Sequence, residues 1–261
     1  MIPLRDRIPL ARWPIVTIAL IAANVIVYLV SISSAGGSII DGPTGATIVR
    51  YGAIPYEFTH LASHCELGAA GFSQIVLCSG QAGVLGSVAA QPATWETAFS
   101  AMFLHANVLA VAFNMLFLAI FGATLEDTLG RLRFLAFYLL GGLAALALAI
   151  AVGPDSVTPT LGASGAIAAV LGAYILLYPR AGVMTVVLVP FLCNIVELPA
   201  WALLGVWLVL DAVLGGLGLL TPFGGAGLAY YAQLGGFAFG LLAVRAFARG
   251  RPPRYGPLRT A

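Results

Sequence analysis

The sequence predicts an all-α, polytopic membrane protein built from six transmembrane helices. Two observations carry that prediction. First, 61% of the 261 residues are apolar and only 8% are charged, whereas a soluble domain carries roughly 25% charged residues. No soluble core hides that much apolar surface. Second, the charges are spaced so that several uncharged runs are long enough to cross about 30 Å of hydrocarbon. The net charge of +2 is too small to suggest a nucleic-acid partner, and all twelve basic residues are Arg. Membrane lipid is the expected surrounding.

The elements follow in chain order. Residues 1–12 read as a cytoplasmic N-terminal segment holding Arg5, Arg7 and Arg12. The first span is about 13–32. A signal peptide is the competing reading, but its apolar core would run about 7–15 residues. This run is longer and opens on Trp13-Pro14, which favours a retained helix. Residues 33–94 are rich in Gly, Ser and Pro and read as a long polar loop. Loops of that length are usually functional or disordered. Spans two to four are about 98–123, 132–152 and 160–178. Gly182–Cys193 is apolar but short and contains Pro190, so it reads as a re-entrant or interfacial piece. The fifth and sixth spans are about 199–219 and 227–246, closing a membrane domain over 13–247. Residues 248–261 read as a basic cytoplasmic tail.

Six spans put both termini on one side. With that side inside, eleven of the twelve arginines are cytoplasmic and only Arg50 is outside, as the positive-inside rule requires. The reading is a bacterial-type plasma membrane with the loop 33–94 in an oxidising compartment. There Cys65 and Cys78 can form a disulfide. His60 and His64 stand four apart beside Cys65, a spacing that a helical metal site would use. The plainer reading is a disulfide with two solvated histidines. No CxxC or zinc spacing occurs, and neither a metal nor a cofactor is expected.

The chemistry centres on Leu161-Gly162-Ala163-Ser164-Gly165-Ala166, inside the uncharged run between Asp155 and Arg180. A hydroxyl in a membrane helix most often bonds back to a carbonyl four residues earlier, so Ser164 alone reads as structural. Its neighbours change the reading. Gly162, Gly165, Ala169 and Gly172 form a small-residue face, and Gly236-x-x-x-Gly240 in the sixth span is its counterpart. Such faces let two helices nearly touch. A residue near Gly236 would then reach Ser164, and in a serine hydrolase that residue is a base. The second span carries His105 and Asn114. Polar groups at membrane depth usually face the protein interior. Asn114 has amide N–H groups of the kind an oxyanion hole uses; an interhelical hydrogen bond is its other reading. His105 lies near the outer interface, as a structural hydrogen-bonding group or a neighbour of the site.

Taken together, the motifs resemble the rhomboid family of intramembrane serine proteases. The matching stretches are Met102-Phe103-Leu104-His105, Asn114-Met115-Leu116-Phe117-Leu118, Phe121-Gly122, Glu126-Asp127, Gly130-Arg131-Leu132-Arg133-Phe134, the Gly162–Ala166 motif, Glu197-Leu198-Pro199-Ala200-Trp201, and Gly235-Gly236-Phe237 followed by Gly240. They fall in order across roughly 90–247. The resemblance implies a six-helix bundle acting on transmembrane-helix clients. It implies Ser164 as nucleophile, with Asn114 and the Ser164 backbone N–H in the oxyanion hole.

Two positions depart from the family's pattern. Its general base is a histidine in Ala-His-x-Gly-Gly at the start of the sixth helix; this chain has Ala232-Gln233-Leu234-Gly235-Gly236. Its oxyanion histidine, five residues after the His105 position, is replaced by Ala110. An amide has no usable basicity near neutral pH. Removing the histidine of a serine protease costs on the order of a millionfold in turnover, and losing an oxyanion donor costs about a hundred- to a thousandfold. His105 and Asp211, the latter in mid-span, are the candidate substitutes. Three readings follow: a protease predicted inactive or severely impaired, or active through such a substitute base; a pseudoprotease that holds or escorts membrane helices; and, last, a pore or transporter, for which the polar intramembrane residues and repeats are lacking.

Overall fold

The computed structural model describes residues 1–34, 36–61, 63–70, 73–81, 92–189, 192–219 and 225–249. The basic tail, apart from its first residues, and Pro190 lie outside them. The fold is mostly helical. Among the described residues, four helices are long and apolar enough to cross a membrane, Ile15–Ser33, Val108–Leu129, Arg131–Val152 and Gly227–Phe247, and two shorter apolar helices are Ser164–Leu177 and Ala200–Leu214.

The chain opens with strand β1 (Ile2–Asp6), then α1 (Ile15–Ser34). The first turn of α1 has no acidic residue of its own. Glu126 supplies one from elsewhere, accepting from Val16 N at 3.0 Å, Thr17 N at 2.7 Å and Thr17 Oγ1 at 2.8 Å. A helix start leaves its leading N–H groups unpaired, and this one buried carboxylate satisfies two of them. Asp127 beside it accepts from Ala11 N.

The segment read as a polar loop contains structure of its own. It holds α2 (Gly45–Tyr51), α3 (Pro55–Thr59) and a hairpin of β2 (Cys65–Ala70) with β3 (Ser73–Cys78). Cys65 and Cys78 are directly opposite across the hairpin and are joined by a disulfide. Cys65 N also donates to the buried Glu57 carboxylate at 2.7 Å. Burial pushes that carboxyl above its ordinary range, and the Cys65 N–H partly offsets the effect. His60 stacks on Tyr56 rather than facing His64 as a ligand pair, and no cluster of metal-ligating side chains occurs among the described residues. The segment is fastened to the bundle through Ala53, bridged to Thr160, and through Tyr56 N, which donates to Ser156 O.

After α4 (Thr94–Ser100) the second long helix begins with α5 (Val108–Phe117), passes through a π-helical turn at Leu118–Gly122 and ends as α6 (Ala123–Leu129). This corrects the expected span 98–123. Asn107 sets the start, its side chain accepting from Ala110 N at 2.9 Å. Glu126 and Asp127 do not end the helix, because their carboxylates are used by α1 and the segment before it. Gly130, at φ 82, ends it. The helices α7 (Arg131–Val152) and α8 (Ser164–Leu177) follow.

A second correction concerns Gly182–Cys193, expected as a re-entrant or interfacial piece in an all-α protein. It belongs to a hairpin of β4 (Gly182–Val189) and β5 (Leu192–Pro199), and β1 adds to β4, giving the order β1-β4-β5. Arg7 pairs with Glu197 at 2.7 Å across this sheet. Asp6, also in β1, is buried and accepts from Thr124 Oγ1 at 2.7 Å and Tyr174 OH at 3.0 Å. The fold closes with α9 (Ala200–Leu219) and α10 (Gly225–Phe247).

The core sits around α8, whose residues from Gly165 to Tyr174 are all buried. Phe121 of the π-helical turn meets Tyr174 edge-on at 4.9 Å. A helix buried on every side has no polar face, and α8 accordingly has none.

Candidate active site

Ser164 is the first residue of α8 and is half-buried. The turn before it depends on Gly162, which has φ 107. That region is open to glycine and strained for other residues. Gly162 N donates to Ala101 O at 2.8 Å, tying the turn to the end of α4. A side chain on Gly162 would stand 3.7 Å from Ser164 Oγ, 3.9 Å from Asn114 Nδ2 and 3.9 Å from Ser164 N. A hydroxyl, a side-chain amide and a backbone N–H therefore converge on the space that the missing Cβ leaves. The Asn114 amide makes no hydrogen bond to another described residue, so its N–H groups are available to a ligand. A pair of N–H donors with a hydroxyl beside them is the arrangement that stabilises an oxyanion.

Helix α10 supports the turn from the other side. Methyl groups on Gly236 and Gly240 would overlap the carbonyl oxygens of Gly165 and Ala169, and one on Gly172 would overlap that of Phe237. On the α7 side, Gly165 faces Ala145, whose Cβ would lie 2.5 Å from a Cβ on the glycine. The α8–α10 contact is thus made largely by backbone, with glycines at its closest approaches.

Beside Ser164 is a cavity of about 40 Å³, room for ordered water. Its walls come from α4 and the following turn (Ala98, Ala101, Met102), α7 (Ala145) and α10 (Ala229, Ala232), with Gly162, Ser164 and Gly165 at its base. Among the described residues, Thr160 and Ser164 bear its only side-chain hydroxyls, and no titratable side chain lines it.

Gln233 follows Ala232 on α10 and stands one turn before Gly236, partly buried. It makes no hydrogen bond to Ser164 among the described residues. Ala110 lies one turn before Asn114 on α5, so a longer side chain there would share the Asn114 face.

The two candidate substitutes are elsewhere. His105 is 1% exposed, in the turn between α4 and α5. Its Nδ1 lies 3.2 Å from Phe103 O, and Nε2 has no partner among the described residues. Burial lowers its pKa, against the raising effect of the Phe103 carbonyl. Asp211 is buried on α9 with one carboxyl oxygen lacking a partner among the described residues. Trp207, one turn before it, packs on Phe237 with ring centroids 6.3 Å apart. Neither His105 nor Asp211 lines the Ser164 cavity.

Fold and site define a polytopic membrane protein with a serine at the head of a buried, glycine-packed helix. The rhomboid domain model matches residues 92–250, more than half of the chain, and the protein belongs to the rhomboid family. No curated protein matches the sequence.

Proposed function

We propose that this protein is a rhomboid that engages transmembrane-helix clients but hydrolyses them extremely slowly or not at all. The observation that carries this reading is the Ser164 cavity, which no titratable side chain lines among the described residues. A serine hydroxyl needs an adjacent base to become a nucleophile, and position 233 supplies an amide. The convergence of Asn114 Nδ2 and Ser164 N on Gly162 supports a retained oxyanion hole. A client peptide carbonyl would sit there held by hydrogen bonds, without attack. The membrane domain has six spans with both termini cytoplasmic, and the disulfide-closed segment lies outside. Two of those spans are the shorter helices α8 and α9.

A second reading, a slow protease with a substitute base, has one specific observation in its favour. His105 retains an unpartnered Nε2, a lone pair that a rearrangement of the α4–α5 turn would have to bring to Ser164.

Co-reconstitution in liposomes tests the proposal. A model client helix with a Gly- and Ala-rich segment near the outer face should crosslink to the wild-type protein and remain intact. The Gln233→His variant, alone or with Ala110→His, should cleave it. Cleavage by the wild-type protein that Ser164→Ala abolishes contradicts the reading.

A further inference from the structure

At the end of the bundle that carries the chain's N-terminus, a cavity of about 590 Å³ opens between the start of α1, the end of α6 and the start of α7. Arg12, Arg131 and Arg133 line it, with Trp13 and Leu132 at its walls. Glu126 and Asp127 line it as well; both carboxylates accept backbone N–H groups from the α1 entry, and Asp127 Oδ1 has no partner among the described residues. Arg133 is likewise committed, donating to the carbonyls of Phe247 and Arg249 at 3.1 and 3.0 Å. Arg12 and Arg131 are exposed and make no hydrogen bond or ion pair with any described residue. Two guanidinium groups thus border the cavity without an ion pair to any described residue.

Three further features fit an anionic occupant. The first turn of α7 has no side-chain cap, and a helix start favours negative charge. Trp13 is 80% and Leu132 83% exposed, and each borders a cavity that also holds charged side chains. A large apolar side chain exposed beside arginine is what the headgroup level of a bilayer accommodates. Guanidinium groups bind phosphate through paired N–H bonds.

We infer that this cavity binds the phosphate of an anionic glycerophospholipid, held by Arg12 and Arg131 at the uncapped start of α7. Trp13 and Leu132 lie against the glycerol and the upper acyl chains.

Native mass spectrometry on delipidated protein in detergent tests this with phosphatidylglycerol, phosphatidylcholine and inorganic phosphate as probes. The wild-type protein should retain phosphatidylglycerol well above phosphatidylcholine, and the R12Q/R131Q variant should bind it about tenfold or more weakly. Millimolar inorganic phosphate should not displace the lipid. The Arg180→Gln variant, an exposed arginine outside the cavity, should bind as wild type does. Equal affinity in wild type and R12Q/R131Q overturns the inference. So does an equal loss in Arg180→Gln, which would mean diffuse surface charge, or displacement by inorganic phosphate, which would make the site one for a free ion. Arg12 and Arg131 are exposed and bond to no described side chain or backbone group, so their substitution leaves the fold intact. A thermal shift with phosphatidylglycerol in the wild type, absent in R12Q/R131Q, reads the same binding independently.

Discussion

Gly236 on α10 lies so close to Gly165 on α8 that a methyl group on Gly236 would overlap the Gly165 carbonyl oxygen. Gly165 directly follows Ser164, so the contact that closes the helix pair also fixes the height of the serine. The backbone beside Ser164 has no room to yield without moving α10.

Substitution of that contact should therefore destabilise the bundle. Gly236→Ala and Gly240→Ala should each lower stability by about 1–3 kcal/mol, read as a fall in melting temperature in detergent. Gly205 on α9 is the matched control, since a methyl group there meets nothing within 4 Å. Gly205→Ala should be neutral or stabilising by up to about 1 kcal/mol, because alanine is the better helix former.

Glu126 stitches α6 to the start of α1. Glu126→Ala leaves Val16 N, Thr17 N and Thr17 Oγ1 without their acceptor. Hydrogen bonds to charged groups contribute roughly 1.5–3 kcal/mol each, so the variant should lose at least that amount. Faster hydrogen exchange should be confined to the first turn of α1. Glu126→Gln keeps one acceptor oxygen and should lose less.

Asp6 gives the fold a pH dependence of definite sign. Burial raises its carboxyl above the ordinary 3.8, against the lowering effect of the Thr124 and Tyr174 hydroxyls. The folded protein then holds this proton more tightly than the unfolded chain. Its contribution is fully present below 3.8 and is lost as pH rises through the elevated folded value. An asparagine side chain at this position would keep an acceptor oxygen without the charge. The melting temperature of Asp6→Asn relative to wild type should therefore rise as pH increases from about 4 towards 7. A difference that stays flat or runs the other way contradicts the assignment.

Much of this architecture is written in the spacing of charges, and some is not. Uncharged runs of about twenty residues mark the helices that became α1, α7 and α10. The start of α5 is hidden, because His105 and Asn107 lie inside an apolar run and only the Asn107 cap distinguishes turn from helix. The β4–β5 hairpin is hidden for another reason. Its sequence is largely apolar without a clear alternation, and β1, which pairs with it, is roughly 180 residues away in the chain. The roles of Glu126 and Asp127 are equally long-range, since their partners lie in the chain before and at the start of α1. At the site, residue types suggested Ser164 and Asn114, but their convergence depends on the positive φ of Gly162. The sequence motif contains that glycine without revealing its conformation.

On the proposed reading, Ser164 lacks a base while its surroundings are intact. Reaction of the wild-type protein, Ser164→Ala and Gln233→His with a fluorophosphonate probe in detergent measures serine activation directly. The account predicts no Ser164-dependent labelling of the wild type and clear labelling of Gln233→His. Labelling of the wild type that Ser164→Ala abolishes would contradict it.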